Sequence, residues 1–124
     1  MGQPELEAVI VSHGAERLLR NCLRLLQQHP ATGEMGVTVV DSGSPDSTPD
    51  MVVREFPQVR LLRQANIGFS AANNLVLRES EADAVLLLNP DTEVYAGTLD
   101  AALARLHSEQ RIGMVGAKLV TESG

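Results

Sequence analysis

A chain of 124 residues, 44% apolar and 21% charged, is sized for a single domain over residues 1–124, with enough length to bury a core. A formal net charge of −6 excludes indiscriminate binding to nucleic acid, whose phosphates such a chain repels. With only 2% aromatic residues the core must be built from Leu, Val, Ala and Ile, and a lone cysteine, Cys22, excludes an internal disulfide and a Cys-based zinc site. The N-terminus shows neither the basic flank nor the apolar run of a signal peptide, and apolar runs of about five residues are too short to span a membrane. A cytoplasmic location is therefore expected.

Residues 6–11 read as a first strand ending at Ser12-His13-Gly14. Residues 15–28 follow as an amphipathic helix, with Leu18, Cys22, Leu25 and Leu26 as its apolar side and His29-Pro30 as its stop. A short β-branched strand, 37–40, halts at Asp41, where Asp41-Ser42-Gly43-Ser44-Pro45-Asp46-Ser47-Thr48 forms a dense turn cluster. Thr48, Pro49 and Asp50 resemble an N-cap, a proline at the first helical position and an acid in the first turn of a helix reaching about Glu55. Residues 59–62 predict a third strand, 63–68 a loop, and 69–78 a helix with Ala72, Leu75 and Val76 inward. The apolar run before Asn89 predicts a buried fourth strand over 83–88. Leu99, Leu103 and Leu106 mark a fourth helix, and 113–120 a fifth strand.

Strands alternating with helices predict an α/β fold: an open, mostly parallel, Rossmann-like sheet with helices on both faces. In such a sheet the loops after the strands share one edge, where ligands bind. That edge should gather Ser12-His13-Gly14, residues 41–44, residues 63–68 and residues 89–93. Neither a Gly-x-x-x-x-Gly-Lys-Ser/Thr loop nor a Gly-x-Gly-x-x-Gly turn is present, which removes the P-loop and ordinary dinucleotide readings. A phosphorylation receiver would need carboxylates directly after the first strand, where Ser12-His13-Gly14 offers none; Lys118 is the one point in its favour. In Asn89-Pro90-Asp91, oxygen-bearing side chains two residues apart suit a hard cation such as Mg²⁺ or Mn²⁺. The competing reading makes Asp91 or Thr92 a cap for the next helix.

Four segments together resemble one family. Ala8-Val9-Ile10-Val11-Ser12, then Val39-Val40-Asp41-Ser42-Gly43-Ser44-Pro45-Asp46-Ser47-Thr48, then Asn66-Ile67-Gly68-Phe69-Ser70-Ala71-Ala72-Asn73-Asn74, then Leu88-Asn89-Pro90-Asp91-Thr92 stand in the order of the nucleotide-sugar-binding half of family 2 inverting glycosyltransferases. Those enzymes have the GT-A fold, and the Asn-Pro-Asp piece is similar to their rhamnosyltransferase-like branch. The resemblance implies a UDP- or dTDP-sugar donor, with Asp41 accepting the imide N–H of the base and Ser12 lining the base or ribose pocket. It implies that Asn66, Gly68 and Asn73 belong to a loop and helix closing over the nucleotide. Gly68 should serve a turn with positive φ or a close approach of backbone, and the helix beginning near Phe69 could direct N–H groups at phosphate.

Asn89 and Asp91 fall on the family's Asp-x-Asp positions, so Asp91 would bind Mg²⁺ or Mn²⁺ while the neutral Asn89 would meet sugar or metal-bound water. Glu93 reads as a helix-side acid, and His13 replaces the aromatic residue often found after the first strand. The catalytic base and the acceptor pocket of the family belong to a second half beyond Gly124, so the expectation is a donor-binding fragment, inactive alone. A runner-up is a non-catalytic nucleotide- or partner-binding module that self-associates through an exposed sheet edge.

Overall fold

Eight elements alternate along the chain: β1 (Leu6–Ser12), α1 (Glu16–Gln28), β2 (Met35–Ser42), α2 (Thr48–Glu55), β3 (Arg60–Gln64), α3 (Phe69–Glu79), β4 (Ala84–Leu88) and α4 (Thr98–His107). The computed structural model describes residues 4–109 and 112–115. The strands form one parallel sheet in the order β3-β2-β1-β4. The α/β fold predicted from the alternation is thus observed. Crossovers step from β1 through β2 to β3 and then jump back to place β4 on the other side of β1. That reversal is the switch point at which open α/β sheets leave a crevice above their strand ends.

Period-two alternation sorts the side chains between two faces. Ala8, Ile10 and Val39 pack under Leu19, Cys22, Leu23 and Leu26 of α1 and Met51 and Val52 of α2, with Leu99 of α4 joining the same core. Val9 and Val40 face the other way and meet Ala72 and Val76 of α3. Burial of β1 on both faces follows from its central place, and Ala8, Val9 and Ile10 are fully enclosed.

Several expectations shift. α1 turns Leu19, Cys22, Leu23 and Leu26 inward, while Leu18, expected in the apolar stripe, is 45% exposed. The chain enters α1 through two successive left-handed residues, Gly14 (φ 71°) and Ala15 (φ 58°), and this entry sets the rotation of the helix. On α3 the buried position next to Ala72 and Val76 is Asn73, with Leu75 only half-buried. β4 was expected to be buried, yet among the described residues it is an edge strand with Leu87 47% exposed. α2 begins at Thr48, and the cap comes from Asp46, whose carboxylate accepts the Thr48 N–H at 3.0 Å and its hydroxyl. Of the expected fifth strand, residues 113–115 carry no strand, and 116–120, with Lys118, lie outside the described residues.

Candidate functional site

The carboxyl edge of the sheet collects four loops, and hydrogen bonds show how three of them are locked together. Ser12 is buried and its hydroxyl donates to the Gly14 carbonyl at 3.0 Å, curling the chain after β1. His13 Nδ1 lies 2.6 Å from the Ser42 carbonyl oxygen, so its Nδ1–H joins the first loop to the second. The Gly14 N–H donates to Ser44 Oγ at 2.8 Å. Ser44 in turn donates its hydroxyl to Asp41 Oδ1 and its N–H to Asp41 Oδ2. Asp41 is therefore fixed at the end of β2, 3% exposed, with lone pairs left over on a carboxylate that can accept about four bonds.

The third loop is drawn against the second. Ser42 Oγ donates to Asn66 Oδ1 at 3.3 Å, and the same oxygen receives the Gly68 N–H. Gly43 adopts φ 66°, and a Cβ there would stand 3.2 Å from the Asn66 backbone nitrogen. Close approach of two backbones is what requires glycine at 43. At Gly68 the need is conformational, since φ is 91° and nothing lies within 4 Å of a would-be Cβ. Gly68 leads directly into α3, whose first turn has no side-chain cap.

Asn73 lies one turn into α3, on the side facing the sheet. Its Nδ2 donates to the Phe69 carbonyl at 3.1 Å, but its Oδ1 is buried without a partner among the described residues. Such an atom carries a desolvation cost of about 1–3 kcal/mol. A buried, unpartnered acceptor beside the loop of Asn66 and Gly68 suits a group that a ligand completes.

The fourth loop runs down the other flank of β1. The Asn89 carbonyl accepts the Thr92 N–H at 3.1 Å, closing a tight turn around Pro90 that leaves Asn89 and Asp91 exposed. Neither side chain makes a hydrogen bond or ion pair with another described residue. The helix-cap alternative is overturned, because α4 starts only at Thr98, after Gly97. Glu93 is not a helix-side acid either: it sits in this loop and accepts Asn21 Nδ2 at 2.8 Å, tying the loop to α1. Cys22 lies beneath the turn, with Sγ 3.9 Å from the Asn89 carbonyl. Burial, and then the charge of Asp91, push its thiol up to about 12.

Register fixes the spacing of the two halves. Ser12 is level with Asp41 on one side of β1, and Ile10 with Leu88 on the other. Asp41 and the Asn89–Asp91 turn thus flank β1, two strand spacings or roughly 10 Å apart. No group of three or more His, Cys, Asp or Glu side chains among the described residues could hold a metal by itself. A single exposed carboxylate still fits Mg²⁺ or Mn²⁺ chemistry, in which one or two protein carboxylates and the substrate's phosphates share a largely hydrated ion. The sequence alone does not single out Ser44, the latch between Asp41 and Gly14, or the placement of Arg63 level with Asp41 on β3. A serine three residues after a strand-end aspartate is the one local signal that pointed to the latch.

Among the described residues, no helix is long and apolar enough to cross a membrane. The N-acetylglucosaminyl-diphospho-decaprenol L-rhamnosyltransferase of Mycobacterium tuberculosis is 34% identical over a 113-residue alignment that spans 82% of this chain and 35% of that protein. Mannosyltransferase PcManGT of Pyrobaculum calidifontis, solved with GDP-Man and Mn²⁺, superposes with a TM-score of 0.75 at 25% identity, covering 86% of this chain and 33% of that one. Residues 1–349 of TarS from S. aureus share the fold at a TM-score of 0.70 and 24% identity, over 84% of this chain and 32% of that one. The chain thus spans about a third of the length of these relatives. The family model for glycosyl transferase family 2 matches residues 7–123, and the chain belongs to that family.

Proposed function

We propose that this chain forms the donor-binding part of a glycosyltransferase using a UDP- or dTDP-activated sugar with Mg²⁺ or Mn²⁺, for transfer to an acceptor hydroxyl with inversion. The observation that carries it is the placement of Asp41 and Asp91 on opposite flanks of the β1 end, at the switch point of the sheet. Asp41 takes the N–H of the base and Ser12 lines the pocket beside it. Asn66 and Gly68 shape the loop that covers the nucleotide, and Asn73 meets it with its unpaired oxygen. Asp91 holds the cation, and Asn89 faces sugar or metal-bound water.

A cation held by Asp91 would supply Lewis-acid charge to the diphosphate of the donor. What the chain's own residues supply is position: the latch through Ser44 holds Asp41, and the Pro90 turn presents Asp91. No residue here is assigned as the base that deprotonates the acceptor, and we expect negligible turnover from the 124-residue chain alone. The buried, unpaired Cys22 suits a reducing compartment, consistent with work in the cytoplasm.

Calorimetric titration of the chain with UDP and dTDP, with and without Mn²⁺, tests the donor site. Binding should require Mn²⁺ and disappear in Asp91→Ala. Absence of binding to both nucleotides, or an Asp91→Ala variant that binds like the parent, defeats the assignment. A second reading, self-association, is favoured by the β4 edge, where Leu86, Leu87, Leu103 and Leu106 line an apolar trough of about 450 Å³. Sedimentation equilibrium decides it: a concentration-independent monomer mass removes the second reading.

A further inference from the structure

We propose that Arg63 is a specificity residue of the donor site, taking the carbonyl oxygen that neighbours the base N–H accepted by Asp41; the assignment rests on the donor-site reading above. The register sets the two residues side by side. Ser12, Asp41 and Arg63 are partners across β1, β2 and β3, forming one row at the carboxyl edge. Partners in a parallel ladder point to the same face. Ile10, Val39 and Leu61, two residues earlier on each strand, all belong to the core under α1 and α2, so the three polar side chains stand in line above that core.

Two further observations single out Arg63. It is exposed at the end of β3 and makes no hydrogen bond or ion pair with another described residue. Asp41 is its cross-strand neighbour, yet no ion pair joins the two, and that carboxylate is bound instead by the Ser44 hydroxyl and N–H. Among the loops and strand ends of this edge, residues 12–15, 41–47, 63–68 and 89–97, Arg63 is the one Lys or Arg. A fixed acceptor next to an uncommitted guanidinium matches a ligand edge that shows an N–H flanked by a carbonyl. Uracil and thymine carry that edge, and guanine presents it in a purine; cytosine and adenine do not. The pair therefore selects for the first three and against the last two.

Titration of the chain with UDP, dTDP, GDP and CDP in the presence of Mn²⁺, repeated with Arg63→Ala and Arg63→Lys, tests this role. In the parent chain CDP should bind at least about tenfold more weakly than UDP and dTDP, as loss of a charged hydrogen bond implies. Arg63→Ala should lower UDP and dTDP affinity by about tenfold and leave CDP unchanged. Arg63→Lys should recover part of the loss, since it restores the charge without the planar fork. GDP binding that also falls in Arg63→Ala supports the pair and adds a purine to its range. An equal loss for all four nucleotides would show that Arg63 meets the diphosphate, and UDP binding unaffected by Arg63→Ala would show that it meets nothing; either result overturns the proposal. If no nucleotide binds the parent chain, the donor site itself fails, a result distinct from both.

Discussion

Replacing Asn73 by leucine should stabilise the chain and weaken nucleotide binding at the same time. Asn73 is 3% exposed, packed beside Ala72 and Val76, which rest on Val9 and Val40. Its Nδ2 bond to the Phe69 carbonyl, a neutral bond within one helical turn, contributes about 0.5–1.5 kcal/mol. Its buried and unpartnered Oδ1 costs about 1–3 kcal/mol. Leucine of similar size removes both and adds apolar contact, so the net gain is about 1 kcal/mol, or roughly 3–4 °C in Tm for a domain of this length. The chain has no Trp and one Tyr, so urea unfolding followed by far-ultraviolet circular dichroism is the suitable assay, with the m value checked for constancy. A gain in stability together with weaker UDP binding would identify a polar group kept for the ligand. A loss of about 1 kcal/mol or more at constant m would refute the reasoning, because it would mean that Oδ1 is satisfied in solution.

Helix rotation can be checked by truncation: Leu19→Ala, fully buried, should cost about 2–5 kcal/mol, whereas the half-exposed Leu18→Ala should cost less than about 1 kcal/mol in the same urea assay. Gly43→Ala forces a side chain into φ 66° and against the Asn66 backbone, so a loss of about 1–2 kcal/mol and weaker UDP binding are expected from paired unfolding and titration measurements. The Thr48 hydroxyl and N–H hold the Asp46 carboxyl below its ordinary value, the Arg20 guanidinium does so for Glu55, and the Thr32 hydroxyl and N–H for Asp100. Depressed carboxyls stabilise the fold above their unfolded pKa values and lose that contribution as pH falls through the folded ones. Urea midpoints should therefore hold from neutrality to the usual carboxylate range and fall below it. Cys22, with its thiol pushed up to about 12 under burial, should resist a thiol reagent at pH 8 until denaturant is added; rapid labelling of the native chain would contradict its placement under the Asn89 turn.

The layered fold was legible because strands and helices punctuate this chain with Gly, Pro and Asp, and each loop follows an apolar run. What eluded the sequence is non-local. Leu18, Leu19, Leu23, Leu25 and Leu26 offer α1 two overlapping stripes, and the choice between them depends on the left-handed entry at Gly14 and Ala15. Ala15 gives no warning of such a backbone, since alanine rarely adopts it. The run before Asn89 looks equally apolar whether its strand is central or at an edge, and strand order is decided by pairing partners far along the chain. Asp91 could be singled out by residue type and neighbours, and Asp41, Gly68 and Asn73 by the resemblance to family 2. Arg63 could not, because its relation to Asp41 exists only in the β2–β3 register.

The acids of the carboxyl edge divide into those bound into its loops and one left free among the described residues. Asp41, Asp46, Asp91 and Glu93 crowd an edge whose loops and strand ends hold a single Arg, and a diphosphate would add further negative charge. Like charges gathered on one edge repel, so a nucleotide needs a counter-charge to settle here. Three of the four acids are committed: Asp41 to Ser44, Asp46 to Thr48 and Glu93 to Asn21. Each of those bonds shapes a loop, and none can be given up without loosening it. Asp91 alone of the four is exposed and without a partner among the described residues, carried outward by the Pro90 turn. The hydrogen bonding of the edge thus separates carboxylates that shape its loops from the one to which the proposed donor site assigns the cation.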